Sequence, residues 1–199
     1  MEDKYRWVAP IYRRFSELVF GKQLALANRY FLTSEIEGNI LIIGGGDGLD
    51  YQDLASRWKG EYWELSKWML EAARKNMKDS QFTFHLGAFY SKIPFDWVIL
   101  PFVLDTMSDQ DFQVLFTELK KQLNPGAQLI LSDFFPPKNT FQKLVSYLMI
   151  RVFRVITQHP RHDFPDYGKW LEENGFKLID EKKWKEGWIR SQVWKLSKA

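Results

Sequence analysis

Four apolar residues, Ile40-Leu41-Ile42-Ile43, run directly into Gly44-Gly45-Gly46-Asp47-Gly48. A run this short, with no polar alternation, reads as a strand buried on both faces, the kind found inside parallel sheets. Glycines at 44, 46 and 48 let the main chain turn sharply and approach a ligand without Cβ clashes. A helical stretch is expected from Leu49 to Trp58, aiming free N–H groups and a partial positive charge at the turn. In open α/β sheets, ligands bind at the carboxyl ends of the strands, where the strand order switches. The dinucleotide fingerprint Gly-x-Gly-x-x-Gly needs glycine at position 49, where Leu stands, and no Gly-Lys-Ser/Thr of a P-loop follows. The spacing therefore argues against NAD and against a nucleoside triphosphate.

Glu64 ends a second strand candidate, Glu61-Tyr62-Trp63-Glu64-Leu65. A carboxylate at that place can accept both ribose hydroxyls of a nucleoside, as in dinucleotide folds. The plain alternative is a solvated glutamate at a strand end.

Strand and helix patterns alternate along the chain. Helical spacing marks residues 5 to 32, broken near Pro10 and Gly21, with a second stretch from Lys22 to Leu32. Ser66 is placed to cap a helix to about Met77, and Ser108 a helix through Leu123 ended by Asn124-Pro125-Gly126. Phe82–Leu86, Phe95–Leu100 and Gln128–Leu131 are further strand candidates. A long helix is expected from Thr140 to Thr157, then a loop over Gln158–Pro165 and a helix from an Asp166 cap to Asn174. Phe176–Trp184 and Trp188–Leu196 close the pattern as a hairpin turning at Glu186-Gly187. Such alternation predicts a parallel sheet with helices on both faces.

The chain has 199 residues, enough for one α/β domain. Its 28 Lys and Arg against 25 Asp and Glu leave a net charge of +3, too mild for a nucleic-acid binder, so a small molecule is the favoured partner. The absence of cysteine excludes disulfides, cysteine nucleophiles and thiolate metal sites. A charged N-terminus and the lack of a long apolar run lead to the expectation of a cytoplasmic protein with no spanning segment and no secretory signal.

The ordered motifs resemble class I S-adenosylmethionine (SAM)-dependent methyltransferases. Ile40–Gly48 is similar to the first motif of that family, and Trp63-Glu64-Leu65-Ser66 to its ribose-binding strand end. Phe95–Leu100 is similar to its fourth strand, and Leu123–Leu131 to its Leu-x-Pro-Gly-Gly turn into the fifth. Val8-Ala9-Pro10-Ile11-Tyr12-Arg13-Arg14-Phe15 is similar to the N-terminal helix of the quinone-biosynthesis subgroup, and adds Tyr12 to the cofactor side. The resemblance implies a three-layer α/β sandwich with a seven-stranded, mostly parallel sheet. Its order would be 3-2-1-4-5-7-6 with strand 7 antiparallel, under an N-terminal helical cap. It implies SAM as cofactor and methyl transfer to a small, apolar or aromatic acceptor. Gly44, Gly45, Gly46, Asp47 and Gly48 would hold the aminoacyl end and Glu64 the ribose. Leu65, Gly87, Ala88 and Phe89 would frame the adenine, with Pro101 and Phe102 on the methyl-transfer side.

Two positions depart from the family pattern. Ile42 stands where an acidic residue usually precedes the first glycine, and Leu86-Gly87-Ala88-Phe89 lacks the usual Asp after strand three. These departures motivate an alternative, a non-catalytic binding or assembly module. The glycine string also resembles aminopropyltransferases of the spermidine synthase group. Leu100-Pro101-Phe102 offers no catalytic Asp after strand four, which ranks that reading lower.

A base is required only where the acceptor must lose a proton. Candidates are Asp105, Asp133, His159 and His162, with His85, Tyr12 and Tyr90 beside them. His85 inside a strand fits a hydrogen-bonded core residue equally well. His159 and His162 fit a substrate lid or a solvated loop, and Asp133 fits the ligand side or a turn cap. Phe141, Leu144, Val145, Leu148, Met149, Val152, Phe153 and Ile156 form a broad apolar stripe edged by Lys143, Arg151 and Arg154. It reads as a lid, as a peripheral membrane contact, or as a core or dimer face, leaving monomer and homodimer both open. The expected organisation is a single domain over 1–199. It comprises a helical cap (1–36), a SAM-binding core (37–135), a helical insert or lid (136–165), and a C-terminal helix with hairpin (166–199).

Overall fold

The computed structural model describes residues 20–33, 35–157 and 164–197. Tyr12, His159, His162 and most of the expected N-terminal cap lie outside these residues. In chain order the elements are α1 (Gln23–Arg29), β1 (Asn39–Ile43), β2 (Lys59–Glu64), α2 (Lys67–Asn76), β3 (Gln81–Leu86) and β4 (Phe95–Pro101). There follow α3 (Asp109–Lys120), β5 (Leu123–Phe134), α4 (Thr140–Thr157), α5 (Tyr167–Glu173), β6 (Phe176–Trp184) and β7 (Ile189–Leu196).

The strands form one seven-stranded sheet ordered β3-β2-β1-β4-β5-β7-β6. Pairs β1–β2, β1–β4, β2–β3 and β4–β5 are parallel. β7 runs antiparallel to both β5 and β6. This is the order and the single reversed strand that the motif resemblance implies. The order switches at β1, which has β2 on one side and β4 on the other.

The unbroken apolar character of β1 follows from burial on both faces. Ile40 and Ile42 pack with Tyr51, Trp58, Tyr62, Leu70 and Ala73 on one side of the sheet. Leu41 and Ile43 pack with Trp63, Val98, Leu100, Phe116 and Leu171 on the other. A third cluster joins Phe20, Ala27, Phe134, Val145, Met149 and Trp188.

The expected caps are in place. Ser66 Oγ accepts the Met69 N–H at 3.3 Å, Ser108 Oγ accepts that of Asp111 at 3.1 Å, and Asp166 Oδ1 accepts that of Lys169 at 3.1 Å. Each satisfies a main-chain donor that has no partner in the first helical turn.

Three expectations need correction. Leu49–Trp58 is not an α-helix but two single 3-10 turns, Leu49–Tyr51 and Ala55–Arg57, built on i→i+3 bonds such as Tyr51 N to Gly48 O at 3.1 Å. Tyr51, Ala55 and Trp58 are buried at a spacing that a helix would share. The tighter turns rise farther per residue. They bring Asp50 to Asn28 (2.8 Å) and Asp53 to Arg29 (2.6 Å) on α1. The helix dipole expected behind the glycine turn is therefore absent. Helix α3 ends at Lys120, earlier than expected. The stretch Asn124-Pro125-Gly126 belongs instead to β5, which begins at Leu123 with a register shift against β4.

Candidate functional site

The carboxyl ends of β1, β2, β3 and β4 converge on the switch in strand order. Gly44 N donates to Trp63 O at 2.8 Å, so the β1–β2 ladder continues into the glycine turn. Gly44, Gly46 and Gly48 have φ of 69°, 66° and 74°, a region that side chains disfavour. Their surroundings differ. A Cβ on Gly44 would strike Val103, and one on Gly48 would strike Met77. A Cβ on Gly46 would meet nothing within 4 Å, nor would one on Gly87 after β3. The main chain is thus bare toward open space at two points, one on each side of the end of β2.

Glu64 stands between them. Its Oε2 accepts Gly46 N–H at 3.1 Å and its Oε1 accepts Ser66 N–H at 2.9 Å. Gly87 N donates to the Glu64 carbonyl at 3.0 Å. The carboxylate expected to meet a ribose is therefore oriented by the glycine turn itself. Without an α-helix behind the turn, these charge-assisted main-chain bonds are what orders the cradle.

The turn is also held from below, by residues that sequence reasoning did not single out. Tyr62 Oη donates to Gly46 O at 3.0 Å, and Asn76 Nδ2 donates to Asp47 O at 2.9 Å. Burial pushes the Tyr62 phenol well above its ordinary pKa, which keeps it a donor. Tyr62→Phe is expected to cost about 1 kcal/mol, read as a lower urea midpoint, because Gly46 O loses its partner. An unchanged midpoint would show that the bond is dispensable.

Phe102, directly after β4, adopts φ 48°, which is unusual for a bulky residue. Its N–H donates to Ser132 O at 2.6 Å, and its ring packs on Phe134 with centroids 5.1 Å apart. Pro101 is buried beside it. No sequence pattern marks that conformation.

The residues expected around an adenine divide into two groups. Leu65 and Ala88 are exposed at the ends of β2 and β3, near exposed Leu86 and Tyr90. Phe89 turns inward, with its ring 5.8 Å from Trp63 and 6.3 Å from Phe95. Ile42 is fully buried, so the position that is acidic in the resembled family is here part of the core.

Asp133 is fully buried at the end of β5. It accepts Leu104 N–H at 3.2 Å and Phe134 N–H at 2.8 Å, which latches β5 to the turn after β4. Burial and then the charge of Asp105 raise its pKa well above the ordinary 3.8. The folded state therefore binds a proton that the unfolded state has released. This contribution to stability is full at acid pH and is lost as pH rises above 3.8 toward the raised value. Asp105→Asn removes the neighbouring charge, so urea unfolding between pH 4.5 and 8 is expected to show a shallower decline, by about 1 kcal/mol at the upper end. A slope identical to the parent chain would refute the coupling. His85 stacks on Trp63 at 4.2 Å and lies 3.7 Å from Glu61, half-buried at the side of the sheet. Among the described residues no cluster of His, Asp and Glu is arranged to hold a metal ion.

A family model described as a methyltransferase domain matches residues 13–181. No curated protein matches the chain by sequence. Among solved structures, the chain is similar to the mitomycin 7-O-methyltransferase MmcR, with TM-score 0.67 and 17% identity over 100% of this chain and 61% of that one. It is similar to the glycopeptide N-methyltransferase MtfA in complex with SAM, with TM-score 0.60 and 19% identity over 88% and 87% of the two chains. It is also similar to a SAM-dependent methyltransferase from Mesorhizobium loti, with TM-score 0.65 and 15% identity over 86% and 97%. At these identities the likeness is one of fold. The chain spans less than two thirds of the length of MmcR.

Proposed function

Since the chain belongs to the methyltransferase domain family, we propose that it binds SAM in the cradle at the switch point and methylates a small, apolar or aromatic acceptor. The observation that carries this reading is Glu64, held by Gly46 N–H between two bare stretches of main chain at Gly46 and Gly87. A vicinal diol fits an oriented carboxylate, and an aminoacyl chain fits a turn that presents no side chain. Two of the similar solved structures are a methyltransferase in complex with SAM and a SAM-dependent methyltransferase, which supports the cofactor class.

In this reading Gly44, Gly45, Gly46, Asp47 and Gly48 hold the aminoacyl end and Glu64 takes the ribose. Leu65 and Ala88 flank the adenine, Phe89 supports that wall from within, and Pro101 borders the methyl. Tyr12, outside the described residues, is proposed for the cofactor side on the motif resemblance alone. Residues 37–135 serve as the binding core and 136–165 as an insert on the acceptor side. When bound, the sulfonium supplies an activated methyl group, so the protein's own task is alignment and exclusion of water. Phe102, backed by the buried Phe134 ring, gives the acceptor side an apolar wall, which favours an apolar or aromatic partner. Asp105 is the stronger candidate for accepting an acceptor proton. Asp133 is fully buried and committed to two main-chain donors, which suits a positioning part. His159 and His162 remain proposals for the acceptor loop.

The buried Ile42 favours a second reading, a binding or assembly domain without catalysis. Titration calorimetry with SAM and with S-adenosylhomocysteine tests the first reading. Saturable heat with both is expected, and no heat at millimolar ligand would discard it in favour of the second.

A further inference from the structure

Helix α4 divides its apolar residues between an inward and an outward face. Its inward face carries Gln142, Val145, Ser146 and Met149, all buried, at the three- and four-residue spacing of one helix side. Two of these four are polar, and their bonds specify how the helix sits. Gln142 Nε2 donates to Lys185 O at 3.1 Å, and Gln142 Oε1 accepts Lys138 N–H at 2.7 Å. Trp188 Nε1 donates to Ser146 Oγ at 3.1 Å. The outward face carries Phe141, Leu144, Tyr147 and Leu148, which are 63%, 58%, 53% and 44% exposed. A helix that merely covers a core shows the opposite arrangement, polar residues out and apolar residues in. Large side chains on successive turns of one face make a contiguous apolar patch, not scattered exposure.

The charge of this helix is equally one-sided. Thr140–Thr157 includes Lys143, Arg151 and Arg154 and no acidic residue, with Lys138 just before it, in a chain that is otherwise nearly balanced. Lys138, Lys143 and Arg151 are exposed. The Arg151 guanidinium lies over the Tyr147 ring, 5.0 Å from its centroid. An apolar stem with a polar tip, paired with a cation, suits a boundary between hydrocarbon and anionic groups.

We propose that the outward face of α4 is a docking surface for an anionic lipid bilayer. Phe141, Leu144, Tyr147 and Leu148 enter the headgroup–acyl boundary, and Lys143 and Arg151 meet lipid phosphates. Among the described residues no helix is long and apolar enough to cross a membrane. The contact is therefore that of a helix lying in the plane of the surface. A second copy fits the face less well. Two-fold packing would bring its cations against the same cations, with no acidic residue on the helix to meet them. The assignment stands apart from the methyl-transfer reading and survives or fails without it.

Flotation of the full chain with vesicles tests it. The chain is expected to float with vesicles of phosphatidylcholine containing about one-third phosphatidylglycerol, and about tenfold less with phosphatidylcholine alone. Leu144→Glu with Leu148→Glu is expected to lower partitioning at least about tenfold. Lys143→Glu with Arg151→Glu should weaken binding to the anionic vesicles and flatten its salt dependence. All four positions are at the surface, so melting curves within a few degrees of the parent confirm folding. No flotation of the parent chain, or flotation of either variant equal to that of the parent, overturns the proposal. A concentration-dependent dimer of the parent that Leu144→Glu with Leu148→Glu dissolves assigns the face to a second copy, and also overturns it.

Discussion

Glu64→Ala is expected to weaken SAM binding by about 2–3 kcal/mol, roughly 30- to 150-fold, with a smaller loss of thermal stability. The two charge-assisted bonds proposed to the ribose diol would vanish, and a group that orders the turn would go with them. Gly46 N–H and Ser66 N–H lose their acceptor as well; Gly46 is half-buried, but Ser66 is buried, so little water reaches the place the carboxylate leaves. Removing the partner of a buried donor costs about 1–3 kcal/mol, so a lower melting temperature is expected beside the loss of affinity, with the fold retained. Calorimetry gives the affinity and a melting curve gives the stability. Affinity within about twofold of the parent would remove the ribose from this carboxylate and take the reading of the cradle with it.

Gly46→Val should be more severe, lowering affinity by more than about 100-fold. Its φ of 66° costs a β-branched residue about 1–2 kcal/mol or more, and the side chain would project into the open space where the ligand belongs. Backbone strain and site filling can be separated with Gly126→Val. Gly126 has φ 79°, and a Cβ there would touch only the Lys195 side chain at 3.8 Å. The two variants should lose comparable stability while only Gly46→Val loses binding. Equal binding by both would mean that the open space at Gly46 is not the ligand's.

Much of this architecture is legible in the residues because burial writes a local signature. Ile40–Ile43 reads correctly since a two-sided core leaves no room for alternation, and Ser66, Ser108 and Asp166 mark helix starts by a chemistry confined to one turn. Leu49–Trp58 misleads because its buried residues share the spacing of a helix. The two tighter turns are tied to Asn28 and Arg29, residues more than twenty positions away, and contacts at that range leave no mark in local spacing. Tyr62 and Asn76 go unseen for a related reason. Each serves a main-chain carbonyl, and such a partner leaves no trace in residue type or spacing. The stripe on α4 is visible as one broad apolar surface. Only the bonds of Gln142 and Ser146 reveal that it is split, with half inside and half outside.

The reversed strand carries a kinetic consequence. β7 lies between β5 and β6, and its residues pair with partners as distant in the chain as Gln128 with Lys195. While a ribosome makes this chain, the parallel half of the sheet can assemble early, yet its β5 border stays open until residue 196 has emerged. The local β6–β7 turn can zip first, since it closes a short loop, and the finished hairpin then seats against β5. Until that moment the apolar border at Leu129 and Leu131 is an open edge able to pair with another chain, and the arrival of the hairpin closes it.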